Sequence, residues 1–154
     1  MTTIQAVILD SSPLGLVTQR AGKSQEGDAC RLWLETLLAQ GTRVYVPEVC
    51  DYEVRRELIR AKKPGGITRL DQLKRLARYL PLTTDVMMKA AELWAQARNA
   101  GVVTADIHAL DGDVIAASQA LSLGLSAAEY VVATSNVKHL SSFASADLWT
   151  NIYP

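Results

Sequence analysis

Apolar positions recur along this chain in two rhythms. Ile4-Gln5-Ala6-Val7-Ile8-Leu9 is short, β-branched and apolar on both faces, the pattern of a strand buried between two layers. Ser11-Ser12-Pro13 then starts a turn or helix, with proline in a tolerated first-turn position. Residues 20–27 are polar and punctuated by glycine, so they read as a loop. Cys30, Leu32, Trp33, Leu34, Leu37 and Leu38 fall at helical spacing and predict an amphipathic helix over 28–40, with Gly41 as its C-cap. A second strand follows at 43–46. A helix over 48–62 is ended by Lys63-Pro64-Gly65-Gly66, and a basic amphipathic helix takes 67–78. Tyr79-Leu80-Pro81-Leu82 reads as a short edge strand, because proline removes a ladder donor. Thr84 or Asp85 caps a helix running to Ala100, which Gly101 ends. A loop at 101–110, a small-residue helix at 113–123, a strand at 130–133 and a last short strand at 148–151 complete the chain. Strand and helix alternate throughout. The expected fold is one three-layer α/β domain over residues 1–154, with a mainly parallel central sheet flanked by helices.

Length and composition leave room for this and exclude little else. The chain has 154 residues, 49% of them hydrophobic, enough for a single core. No apolar run reaches the roughly 20 residues of a membrane span. The first residues lack the charged and apolar segments of a secretory signal. Cys30 and Cys50 form no ligand pattern and read as buried thiols, which suits a reducing cytoplasm. Formal net charge is zero, yet the charge is uneven. Arg55, Arg56, Arg60, Lys62, Lys63, Arg69, Lys74, Arg75 and Arg78 crowd one segment, opposed there by Glu57 and Asp71, while Asp106, Asp111 and Asp113 make the second half more acidic. Such asymmetry suits a phosphate backbone lying beside an acidic centre.

Four polar residues stand at the ends of predicted core elements. Asp10 closes the first strand, Glu53 lies early in the helix after the second, Asp113 opens the small-residue helix, and Asn136 follows the strand at 130–133. In an open parallel sheet, groups beyond the carboxyl ends of the strands converge on one crevice. Three carboxylates and an amide oxygen gathered there repel one another unless a cation joins them, and hard oxygen donors suit Mg²⁺ or Mn²⁺. Each residue alone has an ordinary reading: Asp10 as a helix cap, Glu53 as a surface residue, with Glu57 competing one turn on, Asp113 as a helix-start acid beside Asp111, and Asn136 as a turn former. As a set they point to metal-assisted attack of water on a phosphodiester, with RNA as the expected substrate.

The motifs resemble those of the PIN-domain family, in particular ribonuclease toxins of VapC type and related bacterial proteins. Ile8-Leu9-Asp10-Ser11-Ser12 matches the first acidic motif. Pro47-Glu48-Val49-Cys50-Asp51-Tyr52-Glu53 resembles the second, Asp113-Val114-Ile115-Ala116-Ala117-Ser118 the third and Thr134-Ser135-Asn136-Val137-Lys138-His139-Leu140 the fourth. The resemblance spans nearly the whole chain. It implies a Mg²⁺- or Mn²⁺-dependent endoribonuclease, held in check by a small antitoxin protein and expected to form a homodimer. It implies Asp10, Glu53, Asp113 and Asn136 as ligands or substrate-orienting groups, and Thr134 as a hydroxyl that bonds a carboxylate. Asn136 replaces the more frequent Asp and lowers the local negative charge by one, with Asp111 as the candidate for the missing carboxylate.

Two other classes compete. A PIN-like module that binds RNA or protein without cutting it is the runner-up, and Asn136 is its argument. A phosphoacceptor receiver domain fits poorly, because Thr134 and Lys138 lie too close to end separate strands and no adjacent acidic pair precedes Asp10. His108 and His139 read as structural or surface residues, Trp33 and Trp94 as packed, and Tyr52 as buried.

Overall fold

Successive side chains of a strand point to opposite sides, and a strand that is apolar at every position must be covered twice. Strand β1 (Ala6–Leu9) is such a strand, buried at all four positions. In the computed structural model, which describes residues 4–101 and 107–154 and the side chains of these except 107–109, Val7 and Leu9 enter one core while Ala6 and Ile8 enter the other. The first core is closed by α1 (Ser11–Val17), α2 (Gln25–Ala39), α3 (Glu48–Arg60) and α4 (Pro64–Leu76). The second lies under α5 (Thr84–Asn99), α6 (Ile107–Leu121) and α7 (Val137–Leu140). Between them runs a parallel sheet of β1, β2 (Arg43–Pro47), β3 (Arg78–Leu80), β4 (Tyr130–Thr134) and β5 (Ala146–Leu148), in the order β3-β2-β1-β4-β5. The three-layer α/β architecture is therefore the expected one.

The strand order positions the site. The chain winds outward from β1 to β2 and β3, then crosses back to place β4 on the other side of β1. A crevice opens at such a reversal, outside the carboxyl ends of the two central strands. Leu9 pairs with Ala133, so Asp10 and Thr134 leave the sheet side by side.

Some boundaries differ from the sequence reading, each for a local reason. Helix α2 begins inside the expected loop, at Gln25 rather than Asp28, because Ser24 accepts the Gly27 amide at 2.9 Å and caps it. The Lys63-Pro64-Gly65-Gly66 stretch does not separate two helices but starts the second, with Pro64 in its first turn. A Cβ at Gly66 would lie 2.6 Å from a terminal methyl of Leu58 on α3, so a larger residue there would make that side chain move. Helix α6 starts by Ile107, so Asp113 sits inside it rather than at its opening. The last strand lies at Ala146–Leu148, and Trp149–Asn151 forms a single 3-10 turn instead. That turn brings the Trp149 ring to 5.6 Å from Trp33, whose indole donates to the Ile152 carbonyl at 2.7 Å. Trp94 is 36% exposed and Tyr52 59% exposed, so neither is packed as expected. Among the described residues, no helix is long and apolar enough to cross a membrane.

Candidate functional site

Asp10 occupies the N-cap position of α1, yet its side chain does not cap that helix. Its carboxylate turns into the crevice, where Oδ2 accepts the Thr134 hydroxyl at 2.7 Å and Oδ1 accepts the Cys50 thiol at 3.7 Å. All three residues are buried. The Thr134 hydroxyl also accepts the Asn136 amide at 2.9 Å, and Ser12 accepts the Ser135 amide at 2.9 Å. These bonds tie the end of β4 to the start of α1. The Cys50 thiol is pushed well above its usual range by burial first and then by the Asp10 charge, so it stays protonated and remains a donor.

Glu53 follows Cys50 by three residues on α3, a spacing that puts both on one face. Its carboxylate lies across from α6, where a Cβ on Gly112 would stand 3.3 Å from both of its oxygens. Glycine at 112 thus lets the two helices close around the acid. Burial raises the Glu53 pKa, and Asp10 raises it further; Arg56 opposes them and Asp113 adds to them. Asp113 is raised to about 6, by burial and then by the Asp10 charge. Its Oδ2 is buried and has no hydrogen-bond partner among the described residues. The Asp10 charge thus reaches both Glu53 and Asp113, and that of Asp113 reaches Glu53.

An unpartnered buried oxygen amid like charges is the feature a cation relieves, and the donors are hard oxygens suited to Mg²⁺ or Mn²⁺. Among the described residues no group of three or more Asp, Glu, His or Cys side chains is placed to hold a metal ion. That spacing is compatible with an ion that keeps several waters and takes only one or two carboxylates directly.

The other implied members are arranged differently. Asn136 is exposed, and its Nδ2 lies 2.9 Å from His139 Nδ1. His139 Nδ1 in turn stands 3.6 Å from Asp113 Oδ2. Asn136 reaches the carboxylates through the imidazole, and His139 belongs to the site that sequence reading left it out of. Its signal was the Asn136–His139 spacing of three on a short helix. Asp111 is exposed, two residues from Asp113 and so on a different face of α6. It does not supply the missing carboxylate. Asp106 and the His108 side chain lie outside the described residues.

An open groove of about 790 Å³ runs from Glu53 between α1, α3 and α4. Arg20, Lys23, Arg56, Arg60, Lys63 and Arg69 line it. The basic stretch seen in the sequence is split by this fold. Lys74 and Arg55 are drawn away to the buried Asp51, at 3.1 and 3.0 Å, while the groove residues come from three separate segments.

Neither a protein-family model nor a curated protein matches the sequence. Solved structures do share its fold. A chain of the VapBC2 complex of Rickettsia felis, solved bound to a DNA fragment from its promoter, superposes with a TM-score of 0.71 at 14% identity, covering 94% of this chain and 98% of that one. A chain of VapBC-1 from nontypeable Haemophilus influenzae gives 0.67 at 15%, covering 95% and 99%. A chain of the DNA-bound VapBC of Salmonella typhimurium gives 0.67 at 14%, with the same coverage. The architecture is thus a PIN-like α/β fold over nearly the whole chain.

Proposed function

We propose that this PIN-like chain is a divalent-metal-dependent endoribonuclease and the toxin of a toxin–antitoxin pair. One observation carries the nuclease reading: Glu53, whose carboxyl feels the charges of Asp10 and Asp113 from two other elements, lines a groove that six cationic side chains also line. An acidic centre beside a basic groove suits a polyanion whose scissile phosphate must approach carboxylates. Asp10 and Asp113 would hold Mg²⁺ or Mn²⁺, with Glu53 beside them. The bound ion supplies a coordinated water of lowered pKa and offsets charge on the phosphate oxygens. Thr134 and Cys50 keep the Asp10 carboxylate turned toward that point. His139 places a ring nitrogen against Asp113, and Asn136 fixes the ring. The open groove admits a single strand whose phosphates face Arg and Lys side chains. An antitoxin partner is supported by the likeness to chains of VapBC complexes.

The test is a metal titration of cleavage of single-stranded RNA by wild-type protein and Asp10→Asn. Cleavage that requires Mg²⁺ or Mn²⁺ and vanishes in Asp10→Asn is the expected result; equal cleavage by both proteins sinks the reading. Asn136 and the open spacing of the carboxylates favour a second reading, a module that binds RNA without cutting it. Metal-independent RNA binding with no turnover is its signature in the same assay. Co-purification of this chain with the product of a neighbouring small open reading frame would support the antitoxin.

A further inference from the structure

Besides Glu53, the groove carries a concentration of positive charge that the proposed cleavage chemistry does not use. Arg20, Lys23, Lys63 and Arg69 all line this one groove. Proximity to Lys63 lowers the Lys23 pKa. Among the described residues none of Arg20, Lys23 and Lys63 has a carboxylate within salt-bridge distance.

Backbone geometry fixes where Lys63 stands among these charges. Lys62, just before Lys63, has φ +56, the left-handed region that a residue with a side chain seldom occupies. The turn that results places Lys63 at the N-cap of α4, with Pro64 in the first turn. Gly65 leaves open the space beside it: a Cβ there would meet the Arg69 guanidinium at 3.3 Å. Arg69 is anchored in turn by a 2.6 Å bond from its Nε to the Thr18 carbonyl. Backbone strain, a proline start and a glycine thus converge on a spot whose side chains are cationic and whose helix end also favours an anion.

The geometry points to an anion-binding subsite formed by Lys23 and Lys63 with Arg20 and Arg69, which takes a phosphodiester group of a single-stranded RNA several nucleotides from the acidic centre. This subsite rests on the nuclease reading for its ligand but not for its chemistry. A phosphate between the two ammonium groups would satisfy both and remove their repulsion. Because the same groove reaches Glu53, a strand anchored here would be threaded toward the carboxylates. Long substrates would gain from the anchor, and dinucleotides, too short to span the groove, would not.

The experiment uses fluorescein-labelled single-stranded oligoribonucleotides of graded length, titrated by anisotropy into the 154-residue Asp10→Asn chain without divalent metal. The same titration is made with Lys23→Ala/Lys63→Ala and Lys23→Arg/Lys63→Arg placed in that background. The Ala pair is expected to weaken binding of long oligomers about tenfold, to leave dinucleotide binding unchanged and to flatten the slope of log affinity against log salt by about one. The Arg pair restores long-oligomer binding. Equal affinities of all three proteins at every length overturn the subsite, as does preferential binding of polyglutamate over RNA, which would make the groove a protein-docking site. Circular dichroism checks that the variants fold. Cleavage by the wild-type chain is scored separately, so loss of the anchor and loss of the nuclease reading give different results.

Discussion

The Thr134 hydroxyl and the Asp10 carboxylate, 124 residues apart in sequence, meet in a buried 2.7 Å hydrogen bond at the carboxyl ends of β4 and β1. Parallel pairing of Leu9 with Ala133 makes this meeting unavoidable once the sheet forms. Thr134→Val keeps the shape and removes the donor, leaving a buried carboxylate oxygen short of a partner. The expected cost is about 1–3 kcal/mol in urea unfolding, with metal-dependent cleavage reduced about tenfold as Asp10 loses its orientation. Thr134→Ser restores both. Cleavage unchanged in Thr134→Val, at equal folded fraction, would show that Asp10 needs no such partner.

Cys50 supplies the second bond to Asp10 from a fully buried position. Its raised pKa and its lack of exposure make the thiol unreactive in the folded protein. Cys30 is equally hidden and also raised by burial. Ellman's reagent is therefore expected to label neither cysteine until urea unfolds the chain, and then to label both. Rapid labelling of one thiol in the native state would contradict the burial of Cys50 beside Asp10. Cys50→Ser, which keeps a donor, is expected to bind metal more tightly than Cys50→Ala, as read by isothermal titration calorimetry.

The strands were readable because a doubly covered strand leaves no polar position, and β1 and β4 have none until Asp10 and Thr134. The short strand read at 79–82 is β3, Arg78–Leu80, at the edge of the sheet; Pro81 follows it rather than lying in it. Helix starts were harder to read. Ser24 and Pro64 are both start signals, yet the glycines around them suggested loops. The register of α6 decided the role of Asp111, and that register depends on a start upstream of the small-residue run. His139 was legible only as a spacing from Asn136, because its partner Asp113 comes from another helix. The groove cations came from segments that only the assembled fold brings together.

Asp51 stands inside the second motif, two residues before Glu53, and its role is set by partners from other elements. It is 5% exposed and bonds Arg55 at 3.0 Å, Lys74 at 3.1 Å and the Tyr79 hydroxyl at 3.1 Å. It thereby ties α3 to α4 and β3, fixing the helix that carries Cys50 and Glu53. Removing one partner of a buried charge network leaves the rest uncompensated, though Arg55 and Lys74 are part-exposed and reach water. Asp51→Ala is expected to lower stability by about 2–3 kcal/mol, and Asp51→Asn, which can still accept from Tyr79, by about half as much. Urea titration measures both; a change under about 0.5 kcal/mol for Asp51→Ala would mean that the network is only a surface decoration.

Asp113 sets a pH dependence whose sign follows from its environment. Its folded pKa, about 6, lies above its ordinary value of 3.8, and that of Glu53 is also raised. Between those limits the folded chain holds protons that the unfolded chain has lost, so this contribution to stability is fully present below about pH 4 and fades as pH rises through 6. In EDTA, wild type should therefore lose stability relative to Asp113→Asn between pH 5.0 and 7.5. Partial solvent screening limits the difference to about 1–2 kcal/mol, or about 2–8 °C in Tm. Mg²⁺ or Mn²⁺ reverses it, because a bound cation favours the ionised carboxylates and binds only the folded chain. The metal-induced rise in Tm should accordingly be larger at pH 7.5 than at pH 5.0 and nearly absent in Asp113→Asn. Differential scanning fluorimetry of the two proteins, with and without metal at both pH values, reads all of this. A metal response as large in Asp113→Asn as in wild type would place the ion elsewhere and remove Asp113 from the centre.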